Sequence, residues 1–300
     1  MKKSFTRRDF LKITASVPLT HLVSRAFGNK VSPYQTSKNL PSTKVVLIRD
    51  PEALDQQKKP RDAVIQKMMD EAIMKLLDEK DPREAWQKII KPDDIVGIKT
   101  NVWSYIPTTS AVEQAIWQRI REVGVPQSNI SIDDRGVRRN PVFQKATALI
   151  NARPARTHHW AGMGSCIKNY IMFTPRPSAY HGDSCADLAR IWFEYNLKDK
   201  TRLNILVMLT PLFHGIGPHH YSEKYTWPYC GLIMGTDPVA VDSTGLRIIE
   251  AKRKEYFGEK RPLQPPAKHI FLAEKRHHLG VADPSRIELI KLGWLEGSLI

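Results

Sequence analysis

Between residues 44 and 133 short β-rich runs alternate with longer segments of helical period, and this alternation restricts the possible folds more than any other feature of the chain. Lys44-Val45-Val46-Leu47-Ile48-Arg49 reads as a strand. Residues 62–77 place Val64, Ile65, Met68, Met69, Ala72, Ile73, Leu76 and Leu77 at helical spacing on one face. Asp81-Pro82-Arg83-Glu84 starts a shorter helix through Trp86 to Ile90. After the Pro92-Asp93-Asp94 turn, Ile95-Val96-Gly97-Ile98-Lys99 reads as a buried strand. Residues 110–123 form the next helix, with Ser110 as its expected N-cap, and Asn129-Ile130-Ser131-Ile132-Asp133 the next strand.

The pattern returns downstream. A helix is expected over 184–196, an apolar strand over 203–209, a strand over 231–235, a long helix over 239–256 and an edge strand over 287–292. Strands that alternate with helices pack as a sheet covered on both sides. The expectation is therefore an α/β fold, a mostly parallel sheet flanked by helices on both faces, forming one domain over 43–300. Ligands of open α/β sheets gather beyond the carboxyl ends of the strands. Three of the expected strands end in polar sequence: Lys99-Thr100-Asn101, Asp133-Asp134-Arg135 and Thr236-Asp237-Pro238.

Residues 1–26 read as an address. Lys2 and Lys3 precede Arg7-Arg8-Asp9-Phe10-Leu11-Lys12, a weakly apolar stretch follows to Val23, and Ser24-Arg25-Ala26 offers small residues at a cleavage site. This is the order of a twin-arginine signal, so the expected localisation is the periplasm and the first partner is the twin-arginine translocase. The apolar stretch falls short of the ~20 residues that a spanning helix needs. Residues 27–42 read as a linker. Residues 1–26 carry six basic side chains against Asp9, so the remainder keeps 40 basic and 30 acidic residues, a net charge near +10. That balance favours anionic ligands or surfaces without fixing which, and a small anionic ligand is the expected partner. Without a nucleic-acid-binding motif, the scattered Lys and Arg give no reason to expect DNA or RNA. Cys166, Cys185 and Cys230 are too few for a disulfide framework, and no Cys-x-x-Cys encodes an iron–sulfur cluster.

Four elements then fall in a characteristic order. They are Val96-Gly97-Ile98-Lys99-Thr100-Asn101, Cys166-Ile167-Lys168-Asn169 with His181 beyond, Gly215-Ile216-Gly217-Pro218, and Gly235-Thr236-Asp237-Pro238-Val239-Ala240-Val241-Asp242. Over residues 94–257 the chain resembles the family catalogued as domain of unknown function 362. The last element is the most specific and the Lys-Asn pair the next. The resemblance implies that twin-arginine signals are common and that some members are fused to ferredoxin-like modules, but it supplies no established reaction. Members commonly end the apolar strand before the Gly-Pro element with an aspartate, whereas this chain reads Met208-Leu209-Thr210.

Lys99, Asn101, Lys168, Asn169 and Asp237 are the expected ligand-binding residues, since a cation beside an amide suits a carboxylate or phosphate. Asp237-Pro238 equally suits a helix N-cap followed by a first-turn proline. His158, Lys168 and Asp242 are the candidates for catalysis. His158, Cys166, His181 and Cys185 are the candidate ligands of a transition metal, imidazole and thiolate being its natural donors. His214, His219 and His220 mark a second His-rich loop. Two functions stay open. One is an exported enzyme, metal-dependent or redox-linked, acting on a small anionic substrate. The alternative is a non-catalytic protein that binds an anionic envelope ligand, or an accessory subunit serving a redox partner.

Overall fold

A computed structural model describes residues 42–215 and 221–300. The expected signal at 1–26, most of the 27–42 linker, Ile216-Gly217-Pro218 and the pair His219-His220 lie outside the described residues.

Eight strands form one sheet: β1 (Thr43–Arg49), β2 (Val96–Lys99), β3 (Ile130–Asp133), β4 (Ala148–His158), β5 (Gly162–Gly164), β6 (Thr201–Leu212), β7 (Gly231–Gly235) and β8 (Ile287–Gly293). Their order is β3-β2-β4-β6-β7-β1-β8, with β5 paired to β4 alone. β3, β2, β4 and β6 run parallel, as do β1 and β8, while β7 is antiparallel to both its neighbours. The mostly parallel sheet expected from the alternation is the one observed, with β8 at an edge.

Neighbouring residues on a strand point to opposite faces, and both faces are covered. Val46 and Ile48 enter one core with Ile65, Met69 and Ile116, from helices α1 (Asp62–Leu77) and α3 (Ser110–Val123); α2 (Pro82–Ile89) adds Trp86. Val45 and Leu47 enter the other core. That core is supplied by α4 (Pro141–Lys145), α5 (Cys166–Asn169), α6 (Arg190–Glu194), α7 (Pro238–Phe257) and α8 (Lys268–Lys275). Gly245 lets α7 lie against the sheet: a Cβ there would stand 2.2 Å from Leu206 Cδ2.

Several local expectations change. The N-cap of α3 is Thr109 rather than Ser110, which is already helical. The expected helix over 184–196 is broken: a distorted turn at Gly182–Cys185, in which Asp183, Ser184 and Cys185 adopt left-handed φ values of 51°, 57° and 61°, precedes α6. β4, eleven residues long and central, has no counterpart among the expected strands. Its Asn-Ala-Arg-Pro-Ala-Arg-Thr sequence reads as loop, and a proline argues against a central strand. The structure accommodates Pro154 at a register shift between Pro154 and Arg156. Finally, because β7 is inverted, Thr236-Asp237 leaves the sheet where β4 and β6 begin, and only two of the three polar strand ends share one end of the sheet.

Candidate functional site

The chain leaves β2 through α3 to reach β3 on one side, and leaves β4 through α5 and α6 to reach β6 on the other. Adjacent parallel strands whose connections depart in opposite directions open a crevice at their carboxyl ends. Here β2 stops at Lys99 while β4 continues to His158, so the far half of β4 forms one wall. β6 holds one edge of β4 as far as Arg156, and β5 takes the edge that β2 vacates.

A polar row crosses the sheet at this level. Lys99, Asn151 and Asn204 are register partners on β2, β4 and β6. Asn204 Nδ2 donates to Thr236 O (3.1 Å), Asn151 Nδ2 donates to Asn204 Oδ1 (3.0 Å) and Cys166 O (3.1 Å), and Asn169 Nδ2 donates to Asn151 Oδ1 (2.8 Å) and Lys99 O (3.2 Å). Lys99 Nζ donates to Thr100 O (2.7 Å), Asp134 Oδ1 (2.5 Å) and Asn169 Oδ1 (3.3 Å). Every buried amide is therefore used, as burial requires. Burial pushes the Asp134 carboxyl up, but the Lys99 ion pair outweighs it and holds that carboxyl below its ordinary range. Lys99 and Asn169 are thus brought together as structure, with their polar atoms turned on each other.

Asp242 performs a related task. Its carboxylate, fully buried on α7, accepts from Ser165 Oγ (2.6 Å), Cys166 N (2.8 Å) and Ile167 N (2.8 Å). It thereby caps α5, whose own N-cap Ser165 makes no side-chain cap bond. Burial raises its pKa to about 6. Asp237 lies apart at the opposite end of the sheet, where Oδ1 caps α7 through Val239 N and Ala240 N and Oδ2 accepts from Val281 N.

What remains beside the row is positive charge. Arg153 and Arg156 on β4 and Lys168 on α5 are 4%, 6% and 3% exposed. Arg156 Nη1 donates to Asn101 Oδ1 (2.9 Å), and its guanidinium lies 4.3 Å from the Trp103 ring centre. Lys168 Nζ has one partner among the described residues, Cys185 Sγ at 3.8 Å. Arg153 has neither a hydrogen bond nor an ion pair among the described residues, and its Nε is buried without a partner. Gly164 makes room for it, since a Cβ there would stand 2.9 Å from Arg153 Nη2. Burial lowers the pKa of both arginines and pulls Lys168 down to about 8.

Histidines lie within reach of these charges. The His158, His159, Trp160 and His181 rings form a run, with centroids 4.7, 4.1 and 4.0 Å apart in succession. Burial, then the charge of Lys168, lowers His181 to about 4 and His269 of α8 to about 3, and burial drives His158 below the ordinary imidazole range. At neutral pH the cations therefore face uncharged imidazoles. The four metal candidates are not assembled as a ligand set, and among the described residues no three His, Cys, Asp or Glu side chains are so placed. Cys185 is occupied by the Lys168 amine, while the Cys166 thiol is pushed well up by burial and then by neighbouring Asp242. All three cysteines are free and buried.

Of the residues chosen from sequence, Lys99, Asn101, His158, Lys168, Asn169 and His181 meet in this region, and Asp134 joins them from the polar end of β3. Asn151, Arg153, Arg156 and His269 were not foreseen. The signal for the arginines was present as an Arg-x-x-Arg pair within an otherwise small and apolar run, once that run is read as a strand.

A family model described as Domain of unknown function (DUF362) matches residues 118–247, a span holding β4, α5 and Asp242, and supports the family resemblance. No curated protein matches, and no solved structure matches.

Proposed function

We propose that the chain binds a small anionic ligand, a carboxylate or a phosphate, in the crevice between β2 and β4. The carrying observation is Arg153, a buried guanidinium that makes no hydrogen bond or ion pair among the described residues and whose attraction to Asp134 and Asp242 does not offset its burial. Buried charges are ordinarily paired. Of the buried carboxylates nearby, Asp134 is engaged by Lys99 and Asp242 by the start of α5. An oxyanion that accepts from Arg153 and Lys168 would supply the missing charge, and the neutral imidazoles would leave it undiluted.

Lys168 sets a pH dependence. With a pKa near 8 its amine is charged at neutrality and loses the charge above that value. Affinity for malonate, whose own charge is constant above pH 7, is expected to be highest near pH 7. It should fall by up to about tenfold per unit once pH exceeds the free amine's pKa of about 8, levelling off where the pKa in the complex is passed. Calorimetric titration between pH 7 and 10 reads this directly, with Lys168→Met expected to weaken binding and flatten the profile. A wild-type profile flat across that range would remove Lys168 from the site. The same amine favours a second reading, an enzyme in which Lys168 acts as base or nucleophile on the bound acid.

Export to the periplasm through the twin-arginine route belongs to the same proposal and rests on Arg7-Arg8 and the sequence around them. Changing both to lysine is expected to retain the protein in the cytoplasm, measured by fractionation of expressing cells. Unchanged periplasmic recovery would sink the assignment.

A further inference from the structure

A separate cavity of about 360 Å³ lies between the β4–β5 hairpin, the end of β6, the last turns of α7 and residues 260–264. Its lining includes Thr157, Gly162, His214, Arg253, Lys260 and Arg261; Arg153 and Lys168 do not line it. A volume of this size is within the range of small-molecule sites.

Arg253, 6% exposed, is fixed by its neighbours. Nε donates to Arg261 O (2.8 Å), Nη1 to Phe213 O (3.0 Å), and Nη2 to Pro262 O (3.1 Å), while Nη1 also meets His214 Nδ1 at 3.1 Å. Every one of those acceptors is neutral. A guanidinium carries five N–H groups, so these contacts hold it rigid without cancelling its charge or using all its donors. His214 lies below the ordinary imidazole range through burial and then the charge of Arg253, which fits a neutral ring that accepts from it. Thr157 provides an independent sign. Its hydroxyl is buried in the wall without a hydrogen-bond partner among the described residues, an expensive state for a polar group. At the rim Arg261 is paired with Glu259, whereas Lys260 is exposed and forms no ion pair among the described residues. Glu250, the other nearby acid, is raised by burial and drawn back by the charges of Lys260 and Arg253, and it makes no ion pair with either among the described residues. Leu263 and Pro262 supply apolar wall.

We infer that this cavity is a second ligand site, for a small organic acid whose single carboxylate or phosphate meets Arg253 and the Thr157 hydroxyl while its apolar body rests on Pro262 and Leu263. The site is independent of the crevice between β2 and β4, and either can fail without the other.

Benzoate and phenyl phosphate, titrated into the full chain by ligand-observed NMR, distinguish the two heads. At least one is expected to bind. Thr157→Val, which keeps the side-chain volume, should weaken it ~10-fold, the loss of one hydrogen bond to a charged group. The Lys260→Ala/Arg261→Ala pair tests the rim without touching the core and should weaken it several-fold, whereas Arg153→Met should leave it within about twofold. The inference is overturned if neither compound binds at millimolar concentration. It is equally overturned if Arg153→Met abolishes binding while Thr157→Val and the rim pair do not, since the compound then occupies the crevice.

Discussion

Replacing Arg153 by methionine is expected to abolish anion binding in the crevice and, at the same time, to make the ligand-free protein more stable. A bidentate guanidinium–oxyanion contact comprises two charge-assisted hydrogen bonds of about 1.5 kcal/mol each, so its loss should cost ~100-fold in malonate affinity. That same side chain is buried, and its Nε has no hydrogen-bond partner among the described residues. An apolar side chain of similar length removes the desolvated charge and can fill the space beside Gly164, a change that often stabilises a core by about 1 kcal/mol or more. Urea denaturation of wild type and Arg153→Met, each alone and with saturating malonate, measures both effects. Coexistence of higher intrinsic stability with lost binding is the signature of a residue kept for function. A variant that is less stable and still binds would mean that Arg153 is a structural member of the core, and the proposed crevice would lose its principal cation.

Much of the fold was legible because its elements obey local rules. The stripe of Ile65, Met68, Met69, Ala72, Ile73 and Leu76 defines α1, and those side chains are the ones buried. Asp237-Pro238 and Gly258 frame α7 as a capping carboxylate, a first-turn proline and a left-handed terminator. Strand direction is a different matter, because nothing in Gly231-Leu232-Ile233-Met234-Gly235 records that β7 runs against β6. That inversion separates Asp237 from Lys99, although each closes its strand with a similar polar ending.

The site was half legible for a related reason. Lys168-Asn169 drew attention as a cation–amide pair, yet their roles diverge: Asn169 completes the polar row, while Lys168 faces Cys185. No spacing in the sequence separates these two outcomes. Ala148–His158 hid most effectively, because polarity and proline mark loops in ordinary strands. A central strand with two arginines is tolerable only where other groups, or a ligand, answer their charge. Arg156 is answered by Asn101 and the face of Trp103, and Arg153 has no such contact among the described residues. The violation of strand rules and the candidate site are therefore the same observation, which is where local consistency is expected to fail.

Asp242→Ala is expected to be the most destabilising single change near the crevice, by about 3 kcal/mol or more, because it strips the acceptor from three buried donors at once. Ser165 Oγ, Cys166 N and Ile167 N all bond this carboxylate and would be left unpaired in a place water does not reach. Asp242→Asn keeps one carbonyl acceptor and should cost less, with α5 retained. The two substitutions also separate a positioning role from a catalytic one. If Asp242 only anchors α5, Asn should preserve malonate affinity at neutral pH within a few-fold; a folded Asn variant that has lost the ligand would argue for direct contact instead. The titration supplies a further check. Burial raises the folded pKa to about 6, above the value of about 4 expected for an unfolded aspartate, so the protonated form is the one the fold favours. The stabilising contribution of this group is therefore complete below pH 4 and is lost as pH rises through 6. Wild-type stability measured across that window contains this downward term, superimposed on the upward terms of paired carboxylates such as Asp134 and Asp187. Asp242→Asn, which cannot titrate, should remove it, so the difference in unfolding free energy between the two proteins must change with pH between 4 and 6 and level off above. A pH-independent difference would show that the carboxylate is as comfortable ionised in the fold as in water, and that the clamp on α5 compensates fully for its burial.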